Sequence, residues 1–171
     1  MATLTQIELL LPELHSYARW ICTPPDDPED LVQSAVERTL RAESPPVKLV
    51  ELRPWMFRVI RNLHMDELRR HRVRREYLAR ESRLSDEASD QRDVSRDVLI
   101  RLAFEKLPPE KREILFLVDI IGLKYSETAD VVGVSQGTVM SRVSRARQAL
   151  RWAIEGRDSA ETSSAGKAQG T

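Results

Sequence analysis

Apolar residues recur along this chain at intervals of three and four, and strand-like alternation is almost absent, so the pattern predicts an all-helical protein. Ile7, Leu10, Leu14, Tyr17 and Ile21 mark a first helix that ends before Thr23, Pro24 and Pro25. A second helix is expected from Pro28, capped by Asp27 and carrying Glu29 and Asp30 at its positive end. Leu31, Val32, Ala35, Val36 and Leu40 form its apolar face, and Ser44, Pro45 and Pro46 break it. Pro54 then opens a long third helix. Trp55, Met56, Val59, Ile60 and Leu63 fall on one arc of it, while Arg58, Arg61, Arg69 and Arg72 line the other side and Asn62 borders that stripe. Arg70, Arg74 and Arg75 extend the basic run. A solvated charge face is the plain alternative, and the scarcity of acids here counts against it.

Residues 123–150 show a more specific pattern, two short helices around a tight turn. Ala129 is small enough for helices to cross closely, Gly133 suits the turn, and Val139 would plug the angle between them. Ser135 is placed to cap the next helix, whose pitch lines up Val139, Val143, Ala146 and Leu150 on the buried side. Gly137, Ser141, Ser144, Arg145 and Gln148 face the other way. From Ser135 to Arg151 the sequence holds four arginines, Arg142 among them, and no acid. That is the arrangement of a helix-turn-helix that reads DNA, with Arg145 able to reach a guanine edge. An ordinary amphipathic hairpin with solvated arginines is the competing reading.

Composition bounds the rest. A chain of 171 residues with 41% hydrophobic content supports one or two small domains. Its net charge of zero hides an uneven distribution: nine acids against four bases in residues 1–52, then nine arginines against three acids in residues 53–80. Residues 81–97 hold six acids and only two leucine-class residues and read as a linker, about 55–60 Å if stretched. Small and polar residues from Gly156 onward predict a disordered tail. One cysteine, no run of about 20 apolar residues and no signal-like start point to a reducing, cytoplasmic setting without membrane insertion. No glycine precedes Gly122 to form a phosphate cradle, and His15, His64 and His71 lack ligand spacing with Cys22. Neither an enzyme, a metal site nor a cofactor is therefore expected.

Three segments together carry a family resemblance: DDPEDLVQSAVERTLRA over 26–42, RPWMFRVIRNLHMDELRR over 53–70, and LPPEKREILFLVDIIGLKYSETADVVGVSQGTVMSRVSRARQALR over 107–151. In that order they resemble a bacterial RNA polymerase sigma factor of the extracytoplasmic-function group, the minimal type with only the second and fourth sigma regions. The resemblance implies two small helical domains joined by a flexible linker: region two over 1–80, linker over 81–97, region four over 98–155, tail over 156–171. It implies a promoter-specificity subunit, of stress or envelope-response genes, with core RNA polymerase, promoter DNA and an anti-sigma factor as partners. Asp30, Leu31, Val32 and Gln33 would dock on the clamp helices of the polymerase largest subunit. Arg58, Arg61, Asn62, Arg69, Arg70 and Arg72 would face the minus-ten element, and the loop over 44–53 would receive a base pulled from the duplex. Gly137, Ser141, Arg142, Ser144, Arg145 and Gln148 would meet the minus-thirty-five element.

The chain departs from its relatives at Met140, where many carry Lys or Arg, at Val36, where many carry an aromatic, and at Lys124, where Ser often caps the helix. The alternative function is a sigma-like mimic that sequesters an anti-sigma factor, although the receiver domain that often accompanies such mimics is not expected from these residues.

Overall fold

The computed structural model describes residues 4–22, 25–78 and 96–155. The expected linker over 81–97 lies outside them up to residue 95, its last two residues, Arg96 and Asp97, opening a helix, and the tail over 156–171 lies outside them as well. Seven α-helices make up the described part: α1 (Leu4–Ile21), α2 (Pro28–Arg41), α3 (Leu49–Leu78), α4 (Arg96–Glu105), α5 (Pro109–Leu115), α6 (Tyr125–Val132) and α7 (Gln136–Ile154). A π-helical turn, Phe116–Ile120, continues α5. No strand occurs among the described residues.

The local signals act as expected at two caps. Asp27 accepts a hydrogen bond from the Glu29 amide at 2.9 Å, and Ser135 Oγ accepts one from the Thr138 amide at 3.2 Å. α6 begins at Tyr125 although Lys124 has no oxygen to offer. Glu127 takes over, its carboxylate accepting the Lys124 amide at 2.7 Å.

Two expectations change. α3 starts at Leu49, a full turn before Pro54. The Glu51 and Leu52 amides both donate to the Lys48 carbonyl, and Leu52 is fully buried, so packing holds a turn that the proline alone would have ended. The loop expected over 44–53 is therefore shortened by its last five residues. On α2, Leu40 is exposed and Thr39 takes the buried position, its hydroxyl donating to the Ala35 carbonyl at 2.7 Å.

α1, α2 and α3 pack around Ile7, Leu10, Leu14, Tyr17, Val32, Ala35, Met56, Phe57 and Ile60. α7 lies against α4, α5 and α6 through Val139, Val143 and Ala146. These two groups share one continuous core, because α6 packs on α3 and α5 reaches α1. Aromatic rings close the seam: Trp20 meets Phe104 edge-on at 4.9 Å and Phe116 at 5.6 Å, while Tyr17 meets Phe57 edge-on at 5.2 Å and lies 6.1 Å from Phe116.

Gly133 ends α6 with φ +71°, its amide and that of Val134 both returning to the Ala129 carbonyl. A Cβ there would meet nothing within 4 Å, so only the backbone conformation opposes a larger residue. Gly133→Ala is expected to lower stability by about 1 kcal/mol and Gly133→Asn by less, read as urea midpoints. An unchanged midpoint for the alanine variant would show that the turn relaxes out of the left-handed region.

Candidate nucleic-acid interface

The outward face of α7 is assembled by the turn before it. With Val139, Val143 and Ala146 buried, Gly137, Ser141, Ser144, Arg145 and Gln148 are all exposed, and Arg142 stands half-buried at the edge. Arg145 folds back on its own helix, Nε donating to the Ser141 carbonyl at 3.2 Å and Nη2 to Ser141 Oγ at 3.3 Å. These are exposed bonds that a DNA edge can replace with little loss. Arg147 points elsewhere: it is paired with Asp119 of the π-turn, Nε to Oδ2 at 3.1 Å, and fastens α7 to α5.

The basic stripe of α3 is less uniform than its sequence. Arg58, Asn62, Arg69, Arg70 and Arg72 are exposed. Arg69 and Arg70 form pairs along the helix with Asp66 at 3.1 Å and Glu67 at 2.7 Å. Exposed pairs at this spacing are worth only a few tenths of a kcal/mol, so they give way readily to phosphate. Arg61 differs, since it is largely buried at the seam and donates from Nε to Glu113 Oε1 at 2.9 Å.

That same Glu113 oxygen accepts the Tyr17 hydroxyl at 2.7 Å. A second strut lies beside it: Arg53 grips Glu13 with two nitrogens, at 2.7 and 3.2 Å, and donates to the Ile121 carbonyl. Neither strut carried a local signal, because the partners stand far apart in sequence.

On α2, Asp30 and Gln33 are exposed, while Leu31 and Val32 are buried. The expectation that all four form one docking surface is corrected here. The apolar pair faces α1 and α3 because the helix pitch turns it inward, leaving only Asp30 and Gln33 of the four on the surface.

Burial raises the Tyr17 phenol well above its ordinary value, and the neighbouring Glu113 carboxylate adds to the effect. Burial also lowers His64, against the pull of Asp26 and Glu113. Cys22 is pushed up to about 11, by burial first and then by Asp26 and Asp27.

The comparisons with known proteins agree with this arrangement. The Sigma-70 region 2 family matches residues 6–74 and the family described as Sigma-70, region 4 matches residues 97–150. The ECF RNA polymerase sigma factor EcfG of Rhodopseudomonas palustris is 31% identical over 143 residues, covering 82% of this chain and 78% of that protein. The ECF RNA polymerase sigma factor SigE of Mycolicibacterium smegmatis is 35% identical over 131 residues, covering 73% of this chain. The chain spans about half the length of that second relative, 51%. Among solved structures, the sigma factor RpoE of Bartonella quintana, in complex with the anti-sigma factor NepR, is 25% identical with a TM-score of 0.66 over 88% of this chain and 95% of that one. The chain belongs to the extracytoplasmic-function group of sigma-70 RNA polymerase sigma factors.

Because the Tyr17 phenol keeps its proton when folded and loses it near pH 10 when unfolded, its contribution is full below that pH and falls as pH rises past it. Tyr17→Phe should cost about 1.5–3 kcal/mol at neutral pH, with the gap to the unmodified protein narrowing above pH 10. A gap that stays constant in urea titrations across that range would rule out the buried Tyr17–Glu113 bond.

Proposed function

We propose that this chain gives core RNA polymerase its promoter specificity, acting by binding rather than by catalysis. One observation carries the assignment: the exposed face of α7, with Ser141, Ser144 and Arg145 opposite a fully buried stripe, lies within the segment matched by Sigma-70, region 4. Gly137, Ser141, Arg142, Ser144, Arg145 and Gln148 meet the minus-thirty-five element in the major groove, where Arg145 reads a guanine. Arg58, Asn62, Arg69, Arg70 and Arg72 track the minus-ten strand. Arg61 joins them once Glu113 lets it go, so the packed arrangement is a resting form that opens on polymerase. Asp30 and Gln33 make the polar part of the polymerase contact. Residues 1–80 and 98–155 then act as two modules, tethered by 81–97.

An anti-sigma factor is the regulator this arrangement suits. RpoE of Bartonella quintana was solved with its anti-sigma factor bound, and this chain has a cleft of about 670 Å³ at the seam, bordered by Arg19, Trp20, Ile100, Phe104 and Arg112. No described helix is long and apolar enough to cross a membrane, and the reading places the protein with polymerase and DNA in the cytoplasm.

Run-off transcription with purified core polymerase tests the proposal. Transcripts sharing two upstream elements are expected, and Arg145→Ala should reduce them by about 5- to 100-fold at promoters with an intact minus-thirty-five sequence. Equal loss on scrambled promoters would remove Arg145 from base reading. Replacing both Arg69 and Arg70 by Ala should flatten the salt dependence of promoter binding by about one to two units of log–log slope, and an unchanged slope would remove them from the phosphate contacts.

A further inference from the structure

α3 carries His64, Glu67 and His71 at spacings of three and four, which puts all three on one face. The connection between α1 and α2 brings Asp26 against that face, its Oδ1 lying 2.6 Å from His71 Nε2. One ligand atom each from Asp26, Glu67 and His71 lies within 4.8 Å of the other two. The spacing of the histidines to Cys22 does not bear on this cluster, whose carboxylates come from α3 itself and from a loop 45 positions away from His71.

Three donors bound to one ion stand about 3–3.5 Å apart, as follows from metal–ligand distances near 2.1 Å. Side-chain rotation can supply the remaining contraction, since the three groups hang on a helix and a short loop and are each only half-buried. Beside them is a cavity of about 270 Å³, lined among others by Cys22, Asp30, Ser34 and His64. It has room for water, and the buried His64 stands at its wall. Two carboxylates with an imidazole match first-row divalent ions better than Mg²⁺ or Ca²⁺, which prefer oxygen alone.

We propose that Asp26, Glu67 and His71 bind one divalent transition-metal ion, of the Zn²⁺ or Co²⁺ kind, with water from the adjacent cavity completing its shell. Glu67 gives the site a consequence. Its carboxylate accepts Arg70 Nη1 at 2.7 Å, so an ion that takes the carboxylate frees Arg70 on the basic stripe and ties the α1–α2 connection to the far part of α3.

Binding is measured directly, so the result stands apart from whether the protein drives transcription. The untagged full chain is titrated with Co²⁺ and followed by visible absorption, and Zn²⁺ is then added as competitor. The expected result is saturation at one Co²⁺ per chain, displacement by Zn²⁺, and an affinity lowered by about 10-fold or more in Asp26→Asn, Glu67→Gln and His71→Ala. Glu67→Gln keeps the size of the side chain, so it decides the question even if His71→Ala fails to fold. Absence of saturable binding would overturn the site, as would binding that all three substitutions leave unchanged.

Discussion

A single carboxylate, that of Glu113, accepts both the Tyr17 hydroxyl and the Arg61 guanidinium in the seam between the first three helices and the last four. The demand is reciprocal. A buried carboxylate must have partners, and a buried phenol and a largely buried guanidinium need an acceptor. Removing Glu113 would leave both donors without this acceptor, so the two bonds depend on one residue. Around them, Trp20, Phe57, Phe104 and Phe116 supply the apolar contact of the seam. Polar satisfaction and aromatic packing thus fix one relative position of the two helix groups.

That junction explains why one basic helix presents two kinds of arginine. Among the described residues Arg69 and Arg70 pair with neighbours one turn away, through bonds weak enough for phosphate to replace. Arg61 has a long-range partner in a drier place, so a DNA role for it, as proposed above, would need that pair to part. The cationic stripe is therefore graded along its length.

Local features of this fold were legible in the chain. The helix-turn-helix followed from Ala129, Gly133, Ser135 and Val139, because helix pitch and caps are properties of a few consecutive residues. The start of α3 was not legible, since Pro54 reads as a first-turn residue and only the burial of Leu52 carries the helix back to Leu49. Leu31 and Val32 were recognised as apolar, but family resemblance assigned them outward, and packing turns them in. Glu113 lies 96 residues from Tyr17 and 52 from Arg61, and no periodicity connects such positions. The same distance in sequence hid the meeting of Asp26 with His71.

The π-turn after α5 has a consequence of its own. The Ile121 amide reaches back five residues to Phe116 instead of four, and Gly122, at φ +77°, lets the Leu123 amide close on Leu117. The wider turn accommodates one extra residue, which rotates everything after it by about a quarter turn relative to an unbroken helix. Phe116 and Leu117 can then face the core while Asp119 swings out to hold Arg147. This turn encodes the aim of α7 in a residue count rather than in any particular side chain, so the segment accommodates changes of identity far better than a change of length.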